Sequence, residues 1–227
     1  LYHSMADIMP EIIFQYKGRF YTHEADREQA LPRGILFGHS NAFRQMSCGD
    51  EIGLIGIYLY PYALSTVLDI PAAHCCNQTI DLADLWGKEL RDIEGQLYEA
   101  DTITAKVDVL TTFLLYKIYG QRNADSTLTA VVKELIHLQG DRSVEKLAGD
   151  CHLSLRQFER KFKSLTGFAP KYFSRIIRFQ AVLNEYGRQK NSLTELAYRM
   201  GYYDQAHFIR EFKEFSGLHP RLYFSGN

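Results

Sequence analysis

The sequence predicts two domains of different class: an α+β amino-terminal domain, with an antiparallel sheet followed by helices, and an all-α carboxyl-terminal domain with two helix-turn-helix units. Three observations predict it. The apolar residues follow the two-residue period of strands up to Pro61 and a helical period after it. A pattern of aromatic, basic, glycine and proline landmarks between Asp141 and Phe224 occurs twice. The charge is divided as well: residues 1–140 hold 11 Lys+Arg against 18 Asp+Glu, whereas residues 141–227 hold 15 against 9. A basic third on an acidic remainder fits a nucleic-acid-binding module joined to a part with another task. The 227 residues, 46% of them hydrophobic, suffice for two cored domains. The expected division is a first domain over 1–120, a polar linker over 121–126 and the basic, nucleic-acid-binding domain over 127–227.

In the first part, Ile12, Phe14 and Tyr16 alternate along an extended segment from Glu11. Lys17-Gly18 reads as a hairpin turn and Arg19–Tyr21 as the return. A polar loop is expected over Thr22–Gln29, then strands at Arg33–Phe37 and Ala42–Ser47. The apolar run Ile52–Tyr60 reads as a buried strand that Pro61 ends. Ala63, Leu64, Val67 and Leu68 predict a short helix, and Asp81–Tyr98 a longer one with Leu82, Leu85, Trp86, Leu90, Ile93 and Leu97 on one face. Asp101 is the expected N-cap of a helix to Tyr119, and Gly120 its end. That last helix is also the expected dimer seam.

Little in this part suggests catalysis. His3, His23, His39 and His74 are scattered without HxH or HExxH spacing, and no GxSxG, P-loop or GxGxxG occurs. The expectation is no enzyme, no metal and no cofactor. Cys48, Cys75, Cys76 and Cys151 match no zinc spacing and read as reduced thiols of a cytoplasmic protein. An alternative keeps Cys75-Cys76 as a thiol sensor or alkyl-transfer site fused to a DNA-binding module. No run of about 18 apolar residues predicts a membrane span.

The second part opens with a helix over Thr127–Leu138. The repeat then reads Phe158-Glu-Arg-Lys-Phe162, Gly167, Pro170 and again Phe208-Ile-Arg-Glu-Phe212, Gly217, Pro220, every landmark 50 residues on. In each copy a short helix precedes a longer one. Ser143 caps the first pair and Ser192 the second, with small Ala148 and Ala197 where the helices cross. The two longer helices, about 154–166 and 204–215, bury their phenylalanines and turn other residues outward. Arg156, Gln157, Glu159 and Arg160 face out in the first; Gln205, Ala206, His207 and Arg210 take the same face in the second. Arg and Gln read guanine and adenine edges bidentately, and a carboxylate accepts from cytosine. Ser154, Lys163, Lys171, Arg175 and Lys213 are placed for phosphates. A helix from Lys171 to about Arg188 joins the copies. Its length, roughly 27 Å, suits two readers one turn of B-DNA apart, about 34 Å. Double-stranded DNA is therefore the expected partner, with an acidic protein as the competing reading of the basic face.

The stretch Leu193-Thr-Glu-Leu-Ala-Tyr-Arg-Met-Gly-Tyr-Tyr-Asp-Gln-Ala-His-Phe-Ile-Arg-Glu-Phe-Lys-Glu-Phe-Ser-Gly-Leu-His-Pro220 resembles the signature of the AraC/XylS family of bacterial transcription regulators. The resemblance covers roughly Leu128–Phe224. It implies base contacts from the eight outward residues named above, promoter or operator DNA as ligand, and RNA polymerase as a partner. His152 departs from it, standing where glycine is common. Leu31-Pro-Arg-Gly-Ile-Leu-Phe-Gly38, Tyr58–Tyr62 and Asp81–Gly87 are similar to a sensor domain of uncharacterised members. Family sensor domains often adopt cupin-like barrels that bind a small effector or dimerise, so the resemblance implies an effector and a homodimer here.

Overall fold

The computed structural model describes residues 1–225 apart from 25–26, 50, 120–124 and 187–192. Most of the expected linker, Gly120, Ser192 and the expected helix end at Arg188 lie outside the described residues.

Among the described residues, eight strands form two four-stranded antiparallel sheets. One has the order β1 (Tyr2–Ser4), β6 (Arg44–Cys48), β3 (Phe20–Glu24), β4 (Arg27–Ala30). The other runs β7 (Gly53–Tyr58), β2 (Glu11–Lys17), β5 (Gly34–Phe37), β8 (Thr79–Asp81). Alternation along β2 and β5 explains the layering. Ile13, Ile35 and Phe37 point with Phe20, Leu31 and Met46 into a core between the sheets. Ile12, Phe14 and Leu36 point the other way, into a core capped by helices. The central strand β2 is thus buried on both faces, not half-buried as its period suggests. The expected hairpin is corrected too: β2 and β3 follow each other across Gly18 but belong to different sheets.

The helical layer holds α1 (Leu64–Leu68), α2 (Leu82–Trp86), α3 (Lys88–Glu99) and α4 (Ile103–Ile118). Gly87, at φ +50°, splits the single helix expected over 81–98. Thr102, not Asp101, caps α4, its hydroxyl accepting from the Ala105 amide. Lys106 of α4 is buried and turns its ammonium onto the Leu97 and Ala100 carbonyls, which end α3. Its attachment there satisfies carbonyls that a helix end leaves open.

The second domain contains α5 (Ser126–His137), α6 (Val144–Asp150), α7 (Leu155–Thr166), α8 (Pro170–Glu185), α9 (Leu193–Arg199), α10 (Gln205–Ser216) and α11 (Pro220–Phe224). Its core is aromatic: Phe158, Phe162, Phe173, Phe179, Phe208, Phe212 and Phe215 are all fully buried. Ala6 and Ile8, from the segment between β1 and β2, are buried in the same cluster. The two domains therefore share one packed seam.

Candidate nucleic-acid interface

Each helix-turn-helix is built by local rules. In the first, the Ser143 hydroxyl accepts from the Lys146 amide to start α6. Ser154 and Gln157 form a reciprocal capping box at the start of α7. In the second, the Asp204 carboxylate accepts from the His207 amide at 2.6 Å to start α10. The turns match bond for bond. Leu153 N donates to Ala148 O at 3.0 Å, and Tyr202 N to Ala197 O at 3.0 Å. His152 reaches φ +52° where Gly201 reaches φ +76°. Ala148 and Ala197 are buried at the crossings, where a larger side chain would separate the helices.

With the phenylalanines inward, the opposite faces are free. Arg156, Gln157, Glu159, Arg160 and Lys163 on α7 are exposed, as are Gln205, Ala206, Arg210 and Lys213 on α10, with Ser154 and Lys171 beside them. Among the described residues no ion pair engages Arg156, Arg160, Lys163, Lys171, Arg210 or Lys213. Two residues are partly committed. Gln157 Oε1 accepts from Ser154 N and Ser154 Oγ, which leaves its amide hydrogens as the free readout group. His207 is half-buried, edge-on to Tyr202, with Nε2 at 3.7 Å from Glu211 Oε2.

Arg175 is a correction. Its guanidinium does not face outward for phosphate: Nε donates to Glu211 Oε2 and Nη2 to Glu214 Oε2, both at 2.7 Å. The same group lies over the Tyr172 and Phe215 rings. Burial opposes its charge, but the bonds to Glu211 and Glu214 outweigh that and raise its pKa. Glu211 is 2% exposed, so Arg175 is the strut that lets a carboxylate sit between α8 and α10. No sequence period announces it; Glu211 sits 36 residues on.

Cys75 and Cys76 are both free, and burial works against their ionisation. Burial pushes Cys75 up to about 11, and burial raises Cys76 as well despite Lys163 and Arg44 nearby. A nucleophilic cysteine needs the opposite shift.

The comparisons with known proteins agree with this geometry. A helix-turn-helix domain model matches residues 147–226, and a domain of unknown function, DUF6597, matches residues 2–81. Residues 147–226 are an AraC-type helix-turn-helix domain. Relatives of the AraC-type domain include the transcriptional activator RhaS of Salmonella paratyphi B, 30% identical over 103 residues, 45% of this chain and 37% of that protein. The regulator MtrA of Neisseria gonorrhoeae is 25% identical over 147 residues, 56% of this chain and 49% of that protein. The chain thus spans less than half the length of the curated relatives it matches. Among solved structures, ToxT from Vibrio cholerae aligns over 99% of this chain and 93% of its own, with a TM-score of 0.52 and 13% identity. That likeness shows the fold alone: a sheet-bearing domain with helices, followed by a helical domain.

Proposed function

We propose that the chain is a sequence-specific regulator of transcription that binds double-stranded promoter or operator DNA through α7 and α10, each in a major groove. The observation that carries this reading is the pair of duplicated helices on whose outward faces Arg156, Arg160, Lys163, Arg210 and Lys213 form no ion pair among the described residues. Helix α8, 16 residues or about 24 Å long, sets the two apart. Arg156, Gln157, Glu159, Arg160, Gln205, Ala206, His207 and Arg210 read base edges. Ser154, Lys163, Lys171 and Lys213 hold phosphates. The reader faces differ in chemistry, so the half-sites differ too. Selection from randomised DNA, followed by titration of the recovered site, tests this. Three Lys–phosphate contacts alone give a log K against log salt slope of about −3. A recovered pool without a shared motif overturns the reading.

The regulatory role places RNA polymerase beside the bound chain, in the cytoplasm; among the described residues no helix is long and apolar enough to cross a membrane. A small effector fits the cleft of about 420 Å³ between the domains, lined by Tyr62, Val67, Ile118, Thr129 and Lys133. Its walls are mostly apolar, the buried Thr129 hydroxyl has no hydrogen-bond partner among the described residues, and Lys133 supplies a cation. Helix α4 turns Val107, Leu115 and Ile118 to solvent and forms the seam of a homodimer. Sedimentation of Leu115→Lys checks that seam, and an unchanged molecular mass removes it.

A further inference from the structure

The two recognition helices end alike. Gly167 at φ +82° and Gly217 at φ +71° close α7 and α10. A buried hydroxyl one residue earlier staples each end: Thr166 Oγ1 donates toward the Phe162 and Phe168 carbonyls, and Ser216 Oγ toward those of Phe212 and Leu218. One five-residue stretch of the amino-terminal domain, His39–Phe43, covers both ends. A Cβ on Gly167 would stand 1.7 Å from His39 Nε2, and one on Gly217 would stand 2.6 Å from the Phe43 ring. Only glycine admits either contact.

Both contacts are supported from behind. His39 is fully buried and stands edge-on to Phe168, ring centroids 4.9 Å apart. Phe43 stacks on His3 at 5.3 Å, and His3 Nε2 lies 2.6 Å from Ser216 O. Ala6 N donates to Phe215 O at 2.9 Å, so two carbonyls at the end of α10 are answered from the other domain. The stretch is held on its own side as well. Ser40 exchanges backbone bonds with Asp7, and Asn77 Oδ1 accepts from Ser40 Oγ and Asn41 N. Gly38 fits tightly under Cys75, whose carbonyl lies 1.6 Å from where a Cβ would be.

We propose that His39 and Phe43 are positioning residues: a two-point clamp that fixes the orientation of one recognition helix relative to the other. Neither touches the outward faces, so neither reads DNA. Their effect is preorganisation, which makes engagement of the second major groove follow from the first. A signal that shifts the amino-terminal domain would reach both readers through this stretch.

The inference rests on the DNA-binding reading, and the test separates the two. Phe43→Ala and the double variant His39→Ala/Phe43→Ala are compared with the native full chain. On the two-half DNA site recovered by selection, the double variant binds about tenfold more weakly. On the same DNA with one half scrambled, its affinity stays within about twofold. Equal losses on both DNAs, or none on either, overturn the clamp. A second measurement needs no DNA: spin labels at Arg160→Cys and Arg210→Cys, with Cys48, Cys76 and Cys151 replaced by serine. The distance distribution between them is narrow in the native background and broad in both variants. An unchanged distribution overturns the clamp. A native chain without sequence preference on DNA overturns the function while the label distances still decide the clamp.

Discussion

His152 is the place where the repeat is least well served by its own sequence, and replacing it with glycine is the sharpest test of the turn geometry. The left-handed conformation costs an L-residue about 1–2 kcal/mol. Glycine escapes that cost but loses about 0.5–1 kcal/mol through its extra freedom in the unfolded chain. The His152 side chain is exposed, and among the described residues it makes no hydrogen bond that the exchange would remove. The backbone bonds around it already match those at Gly201. The net expectation for His152→Gly is therefore a stabilisation of about 0.5–1 kcal/mol, or a Tm rise of about 2 °C for a chain of this size. Urea unfolding of the full chain, followed by far-ultraviolet circular dichroism, measures it as a higher midpoint at unchanged slope. The reverse exchange at the second turn, Gly201→Ala, lowers the midpoint by a similar amount. A His152→Gly chain with an unchanged or lower midpoint would refute the reasoning.

Other perturbations separate structural from DNA-binding roles. Arg175→Ala strands the buried Glu211 carboxylate and costs about 3 kcal/mol of stability, whereas Lys171→Ala stays within about 0.5 kcal/mol; denaturant midpoints compare them. Arg210→Ala costs about 1–3 kcal/mol at its cognate base and relaxes the preference there, read by repeating the selection. Lys163→Ala instead weakens all sequences alike and flattens the salt slope by about one; a sequence-selective loss would contradict its phosphate role. Buried His39 and half-buried Glu11 tie stability to pH with opposite signs. Burial, helped by Arg44, lowers His39 to about 4, so stability falls as pH drops from about 6.5 towards 4. Burial, helped by Asp7, raises Glu11 to about 7, so stability falls as pH rises from about 4.5 towards 7. Glu11→Gln removes the second effect and leaves a chain that loses stability steadily on acidification from pH 6.5; a flat profile in that variant argues against a neutral, buried His39.

The parts of the fold that a local pattern encodes are legible in the sequence. Ser143 and Ser154 cap where their hydroxyls permit it, and the phenylalanine spacing fixes which faces of α7 and α10 turn inward. Short strands are not legible: β1, β4 and β8 hold three or four residues each, and their identity comes from the partner they pair with. The same holds for β3, which follows β2 across a tight turn but finds its partners in β4 and β6. In the candidate interface, an unpaired cation on an outward face can be read from helical period alone. Arg175 lies close to that face and still turns inward, because Glu211 and Glu214 meet it from α10. Lys106 is a similar case, with its partners at the end of the preceding helix. Charge pairing across the fold is decided by tertiary neighbours, and residue type does not reveal it.

The bond between His3 and Ser216 joins residues 213 apart, and Ala6 with Phe215 closes a loop almost as long. Closure entropy grows only with the logarithm of loop length, so such a contact is tolerable at equilibrium. It is expensive early in folding, when little else holds the ends together. Each domain has a core that can form from nearer neighbours, and the segment around Ala6 and Ile8 docks once the α10 end exists to receive it. The seam between the domains is therefore a late event in folding.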